Sequence, residues 1–477
     1  MGKCSIGLYG LGVMGKSLAC NLIRHGFPTA VYSKAETERE AFLAAPPKEE
    51  NWTLCVDEAS FIQTLERPRV VFLMITSGKP VDLVLEALLP LLDAGDVVID
   101  GGNSHYADTS RRCARAAESG VEFLGVGVSG GEKGALEGPC MMAGGSRRGW
   151  EVSRRFLEAI AAHAPDGAPC CAYVGPEGAG HYVKMIHNGI EYAVMQQIAD
   201  IYALMRDGLG MAADEIAQVF ESWRSGPLES YLVDITAAVL RKRDADGTPL
   251  VEHVLDVARQ KGTGCWSVLE AARRGVYAPC IDEALFTRYH SERREERIRC
   301  AQILPCSAAP GGLDLTPRQL ERALYAAVLC AYVQGIGLIA RASEDLSWDI
   351  DLPLTVGLWR SGCIIRSALL TKLMAALREE ERALLLTEEL QELRELEPDL
   401  RQTVLRAIEK GIAVPTLSSA LLYYDQSRTA RMSVNLVQAL RDCFGAHTYE
   451  RLDVPGTFHS DWESSWAGMD TAPTPQS

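Results

Sequence analysis

The chain has no excess of basic residues and no cysteines at metal-ligand spacing, and it reads as having neither a secretory leader nor an apolar run of membrane-spanning length. Against 48 Lys and Arg stand 63 Asp and Glu, a formal net charge of −15. That balance argues against general binding to nucleic acid or to an anionic membrane, since both need broad basic surface. An anionic small molecule would need a local cluster of cations. The start, Met1-Gly-Lys-Cys-Ser5, leads straight into a strand-like run, and no apolar stretch reads as the roughly 20 residues of a bilayer span. A cytoplasmic protein without membrane or nucleic-acid partners is expected. The 14 cysteines are scattered, with one adjacent pair, Cys170-Cys171. They read as reduced, mostly buried thiols, and no metal site is expected.

What is present points first to two or three domains, because 477 residues exceed a single core. Ser5 to Gly10 reads as a strand, Lys16 to His25 as an amphipathic helix, and Thr29 to Tyr32 as a second strand. Between the first two lies Gly10-Leu-Gly-Val-Met-Gly15. A G-x-G-x-x-G in that context brings a dinucleotide pyrophosphate to a helix N-terminus, so Gly10, Gly12, Val13, Met14 and Gly15 are candidate cofactor contacts. Further strands are predicted at Val70 to Ile75, Val97 to Asp100 and Val121 to Val126, which makes a doubly wound, Rossmann-like α/β domain. An NAD site places Asp or Glu at the end of the second strand. This chain has Ser33, Lys34 and Ala35 there, so Ser33 and Lys34 are candidates for the 2′-phosphate of NADP, with NAD the weaker alternative. A solvated loop lysine is the competing reading of Lys34. Two later loops, Asp100-Gly-Gly-Asn-Ser104 and Val128-Ser-Gly-Gly-Glu-Lys133, fall where ligands of such sheets bind, and they supply Asn103, Ser129, Gly130 and Gly131.

From about Gly178 helical periodicity takes over. In His181 to Tyr192, Lys184, His187, Asn188 and Glu191 fall at i, i+3, i+4 and i+7, one amine, imidazole, amide and carboxylate on one face, with Val183, Ile186, Ile190 and Val194 opposite. Unpaired buried polar groups cost about 1–3 kcal/mol each, so either a ligand meets this stripe or the stripe is solvated. An internal repeat separates the two readings. Trp223-Arg-Ser-Gly226 recurs as Trp359-Arg-Ser-Gly362, 136 residues on (359 − 223), and Gly275, Pro279 and Leu285 match Gly411, Pro415 and Leu421 at that offset. With one residue of slack, the stripe aligns with Glu321, Leu324, Tyr325 and Val328, while Lys261, Thr263 and Arg288 face Glu397, Asp399 and Tyr424. The second copy lacks the polar set, so folding does not require it and function is the better reading. The acidic stretch from Arg378 to Glu397 reads as solvated helix faces. Near the end, Arg441 and His447 can meet an anion, and the small, polar residues after Trp466 are expected to be disordered.

These motifs, with Lys261-Gly-Thr-Gly264 and Arg441-Asp-Cys-Phe-Gly-Ala-His-Thr-Tyr449, resemble the 6-phosphogluconate dehydrogenase family from Gly7 to about Trp462. The resemblance implies an NADP-binding domain over 1–177, a duplicated all-helical domain over 178–434, and a tail over 435–477 that reaches the partner subunit of a homodimer. It implies oxidative decarboxylation of 6-phosphogluconate in the pentose phosphate pathway, with no metal. Lys184 would be the base and acid, and Glu191 the acid of the last proton transfer. Asn103, Ser129, Gly130, Gly131, His187 and Asn188 would surround the sugar acid. Tyr192, Lys261, Thr263 and Arg288 would hold the phosphate, with Arg441 and His447 from the partner. The chain departs from the family pattern at Gly12, at Ser33-Lys34-Ala35, at Thr76 beside the cofactor and at Cys265, which puts NADP selectivity and the phosphate end in question. A β-hydroxyacid dehydrogenase acting on another small acid, or a non-catalytic NADP-binding scaffold, are the alternatives.

Overall fold

The computed structural model describes residues 3–260, 262–304, 306, 311–379 and 383–462. The chain divides into two compact units, Met1–Tyr423 and Tyr424–Ser477. In the first unit the order is β1 (Ile6–Tyr9), α1 (Val13–Arg24), β2 (Thr29–Tyr32), α2 (Glu36–Ala44), β3 (Trp52–Leu54), α3 (Glu58–Gln63), β4 (Val70–Leu73) and α4 (Lys79–Leu88). Then come β5 (Val97–Asp100), α5 (Tyr106–Ala117), β6 (Glu122–Ser129), α6 (Gly131–Glu137), β7 (Cys140–Gly145), α7 (Arg147–Ile160) and β8 (Cys171–Gly175). The strands form one sheet in the order β3-β2-β1-β4-β5-β6-β7-β8. Every pair is parallel except β6 with β7. Their apolar runs are buried on both faces, as a parallel sheet covered by helices demands.

Three strands escaped the sequence reading. The half-buried β3 has only three residues, while the fully buried β7 and the partly buried β8 end in glycine and show no alternation. The predicted Val121 to Val126 strand extends to Ser129, which places the Ser129-Gly130-Gly131 turn at its end.

Helices α8 (Ala179–Ala203), α9 (Ala213–Ser222), α10 (Tyr231–Arg241), α11 (Thr263–Arg274), α12 (Pro279–Ser291), α13 (Arg294–Ile303) and α14 (Pro317–Leu346) follow. After them come α15 (Leu352–Leu358), α16 (Leu369–Ala376), α17 (Leu393–Glu409) and α18 (Pro415–Ser427). Positions 136 apart play like parts. Pro279 and Pro415 each open a helix, and the helix before each ends in a left-handed glycine, Gly275 at φ 64° and Gly411 at φ 65°. The second unit contains α19 (Val434–Gly445) and a two-stranded ribbon of β9 (Tyr449–Glu450) and β10 (Thr457–Phe458).

Two expectations are corrected. Helix α14 is long and apolar enough to cross a membrane, contrary to the reading that no stretch reaches that length, but 89% of its most apolar window is buried inside the protein. Isolated polar residues such as Gln334 interrupt its apolar run in the sequence. The acidic stretch is not one solvated helix face: Leu384–Leu386 and Glu388–Leu390 form short 3₁₀ turns, and Leu384, Leu390 and Leu393 are buried beneath them. Residues 380–382 of that stretch, and the end expected to be disordered after Trp466, lie outside the described residues.

The placement of α8 follows from glycine. A Cβ at Gly180 would lie 2.4 Å from the Gly125 carbonyl oxygen and 2.5 Å from the Gly144 nitrogen, and one at Gly127 would lie 2.3 Å from Lys184 Cβ. Helix backbone therefore rests directly on the backbone of β6 and β7, and no side chain separates them. We predict that Gly180→Val, by forcing this contact apart, lowers stability by the roughly 1–3 kcal/mol of an overpacked core. Thermal and urea unfolding measure it; a midpoint equal to wild type would show that the helix and sheet are not in contact.

Candidate active site

One cleft of about 1030 Å³ runs between the carboxyl ends of the strands and the helices that follow. Its nucleotide side is the turn after β1. Gly10 sits at φ 101°, and a Cβ on Gly15 would lie 2.0 Å from the Gly10 carbonyl oxygen, so only glycine closes this turn. Helix α1 has no side-chain cap and no acidic residue in its first turn. Its orphan N–H groups thus face a cleft lined by Gly10, Gly12, Val13, Met14 and Gly15, which suits a pyrophosphate. Gly12 itself is not required by space, since a Cβ there meets only Glu38 Oε1, at 3.5 Å.

Ser33, Lys34, Ala35 and Thr76 also line this cleft, but the first two are already engaged. Ser33 donates to Glu38 Oε2 at 2.6 Å, and Lys34 pairs with Glu58 at 3.0 Å. Thr76 is exposed in the loop after β4.

The loop after β5 is built on a buried ion pair. Asp100 accepts from Gly102 N–H at 3.0 Å and Ser104 Oγ at 2.6 Å, and Arg112 of α5 donates to it at 3.2 Å. Arg112 is completely buried, and its other donors reach Asp82 and the Gly78 carbonyl. Every group of the pair is satisfied, so the loop is rigid and presents Asn103, exposed, to the cleft.

Across from it, α8 brings the predicted stripe together. Lys184 Nζ donates to Asn188 Oδ1 at 2.8 Å and lies 3.5 Å from His187 Nδ1. His187 Nε2 lies 3.4 Å from Ser129 Oγ, and its Nδ1 lies 3.8 Å from Glu191 Oε2. Asn188 Nδ2 donates to Thr263 Oγ1 at 3.1 Å, which ties α8 to the first turn of α11. Burial pushes Lys184 below the ordinary lysine range, against the pull of Glu191. Burial raises Glu191, against Lys184 and Arg288, and burial together with Lys184 drives His187 well down, so the imidazole is neutral. The stripe is thus an amine biased toward a free base beside a carboxyl biased toward a free acid.

At the far end, the Arg288 guanidinium lies 3.5 Å from the centre of the Tyr192 ring. Thr263 is adjacent, and Lys261 lies outside the described residues. Gly130 and Gly131 follow Ser129 at positive φ. Arg441 and His447 belong to the second unit, where Arg441 donates to Gln438 at 3.0 Å and His447 packs edge-on to Phe444.

Four participants were not anticipated. Glu38 and Arg112 carry no motif, and Gln260, which lines the cleft, precedes a predicted site residue without a signal of its own. Trp359 packs edge-on against His187 with ring centroids 5.8 Å apart, and the Trp-Arg-Ser-Gly repeat was the one signal that marked it.

A nucleotide-binding sheet facing a helical wall of proton-transfer groups across one cleft defines a dinucleotide-dependent dehydrogenase. Residues 5–175 match the NAD binding domain of 6-phosphogluconate dehydrogenase, and residues 180–462 match the 6-phosphogluconate dehydrogenase C-terminal domain. An NADP(+)-dependent, decarboxylating 6-phosphogluconate dehydrogenase of Bacillus subtilis is 44% identical, over 97% of this chain and 100% of the relative. A Staphylococcus aureus decarboxylating enzyme is 43% identical over 96% and 98%. The structure of Plasmodium falciparum 6-phosphogluconate dehydrogenase, described in apo form and with NADP+ or 6-phosphogluconate, superposes with a TM-score of 0.92 at 36% identity, covering 96% of this chain and all of that one. The chain belongs to the 6-phosphogluconate dehydrogenase family.

The Asp100–Arg112 pair generates a prediction. Arg112→Met strands a buried carboxylate and should cost about 3–5 kcal/mol. Adding Asp100→Asn should recover part of that loss, because the stranded charge is then gone. A single variant within about 1 kcal/mol of wild type in urea unfolding would show that water reaches Asp100.

Proposed function

We propose that this protein oxidises 6-phospho-D-gluconate with NADP+ and decarboxylates it to D-ribulose 5-phosphate and carbon dioxide, as a soluble cytoplasmic enzyme of the pentose phosphate pathway. The observation that carries this reading is the Lys184–Asn188–His187–Ser129 network, set opposite the dinucleotide turn in a chain of this family. Residues 1–177 hold the cofactor, 178–434 hold the substrate, and 435–477 form the tail.

NADP+ supplies the hydride acceptor. Lys184, biased by burial toward the free amine, takes the proton of the C3 hydroxyl as hydride leaves C3. The product is a β-keto acid, and the Lys184 ammonium opposite its C3 oxygen stabilises the enediolate as the bond to the carboxylate breaks and carbon dioxide departs. The ammonium returns its proton to that oxygen. Glu191, biased by burial toward the acid, then protonates the carbon that lost the carboxylate while Lys184 takes back the proton of the enediol hydroxyl, which leaves the ketone. His187, Asn188, Ser129, Gly130, Gly131 and Asn103 position the sugar acid. Arg288, Thr263, Tyr192 and Lys261 meet the phosphate, where a bidentate arginine suits a dianion best.

A spectrophotometric assay with 6-phosphogluconate and NADP+, with carbon dioxide followed in parallel, tests the reading. Reduced cofactor formed without carbon dioxide overturns it. We predict that Lys184→Ala loses at least about 10²–10⁴-fold in turnover while cofactor binding persists. In wild type, kcat/KM should fall as pH drops and Lys184 takes up a proton, at a pH below that of a solvent lysine near about 10.4. A variant within tenfold of wild type would remove Lys184 from the mechanism.

The active unit is a homodimer in which the tail of one subunit brings Arg441 and His447 to the site of its partner. Support comes from α19, which leaves Val434, Leu436, Val437, Leu440 and Phe444 exposed along its length. We predict that Lys184→Ala and Arg441→Ala proteins, each inactive alone, regain activity when refolded together. One site of each mixed dimer then carries both defects and the other carries neither. No recovery would mean that each site is built from a single chain.

A further inference from the structure

Glu38 lies in the wrong place for an enzyme that demands NADP. It belongs to the first turns of α2, yet its side chain reaches back to the end of β2 and lines the nucleotide side of the cleft. Glu38 Oε2 accepts from the Leu11 N–H at 3.0 Å, inside the glycine turn, and from Ser33 Oγ at 2.6 Å, on the residue that follows β2. Its Oε1 stands 3.5 Å from the position a Cβ would take on Gly12, and among the described residues it accepts no hydrogen bond. A carboxylate between the glycine turn and the end of β2 is the feature by which a Rossmann-like domain receives the ribose hydroxyls of NAD. Here it arrives from the next helix rather than from the strand.

The cations nearby do not restore a phosphate site. Lys34 is paired with Glu58, which also accepts from the Tyr9 hydroxyl at 2.7 Å. Arg39 turns its guanidinium onto the carbonyl oxygens of Ser33 and Lys34, the latter at 3.1 Å. Around the end of β2 the two cations, Lys34 and Arg39, are balanced by the two carboxylates, Glu38 and Glu58. A 2′-phosphate entering there meets no net positive charge and one carboxylate with a free oxygen.

We propose that Glu38 sets cofactor choice in this enzyme, accepting hydrogen bonds from the adenosine ribose hydroxyls and repelling a 2′-phosphate, so that NAD is bound and used alongside NADP. This rests on the function argued above, but its test does not depend on turnover. The full-length enzyme is titrated calorimetrically with NAD, NADP, 5′-AMP and 2′,5′-ADP, as wild type, Glu38→Gln and Glu38→Lys. Wild type should bind NAD within about tenfold of NADP. Glu38→Gln, which keeps an oxygen for Leu11 and Ser33, should weaken NAD and 5′-AMP while tightening NADP and 2′,5′-ADP, moving the ratio about tenfold or more. Glu38→Lys should move it further in the same direction. Both cofactors unchanged, or both weakened by one factor, would overturn the proposal by reducing Glu38 to a prop for the glycine turn; the dehydrogenase reading would stand. Wild type binding NADP more than a hundredfold tighter than NAD would also overturn it.

Discussion

Everything in the site is referred to the contact of α8 with the sheet. Gly125, Gly127 and Gly144 on the strands and Gly180 on the helix strip the interface of side chains, so two backbones meet at the distance of atoms in contact. That contact fixes the height of Lys184 over the end of β6 and, through the 1.5 Å rise of a helix, the height of His187, Asn188 and Glu191 beyond it. A single methyl group between helix and strand would shift all four relative to the dinucleotide turn.

The molecule treats buried charge in two ways, and the contrast separates scaffold from site. Asp100 and Arg112 are both fully buried and fully hydrogen-bonded, so the pair is a rigid base for the loop that carries Asn103. Lys184 and Glu191 are close and of opposite charge tendency, yet burial outweighs their mutual attraction, since each is displaced toward its neutral form. A strong, satisfied salt bridge would hold both charged and would leave neither free to exchange a proton. Neutral His187, fixed between Ser129 and Asn188, orients without adding a third charge.

The helical segment that matches at an offset of 136 lacks the polar stripe but still bears on the site. Gly362, from the repeated Trp-Arg-Ser-Gly, accepts from the Cys140 N–H at 3.0 Å, and its carbonyl oxygen would lie 2.6 Å from a Cβ on Gly130. Trp359 of the same segment covers His187. One copy therefore supplies the polar stripe, and the other supplies part of the wall packed against it.

The sequence by itself determined the β1–α1 glycine turn, the strands at Thr29–Tyr32 and Val97–Asp100, and the face shared by Lys184, His187, Asn188 and Glu191. Each is local: the periods of strand and helix set which side chains share a face, and only glycine permits a turn whose own carbonyl lies 2.0 Å from a would-be Cβ. Strands β3, β7 and β8 were not legible, because two short edge strands without alternation and one fully buried run leave no periodic signal. Glu38 against Leu11, Arg112 beneath Asp100, and Trp359 against His187 were decided only by tertiary structure. These pairs lie 27, 12 and 172 residues apart (38 − 11, 112 − 100, 359 − 187), and no local spacing brings them together. Their meeting depends on how helices settle on the sheet, and that packing fixed the environment of every titrating group in the cleft.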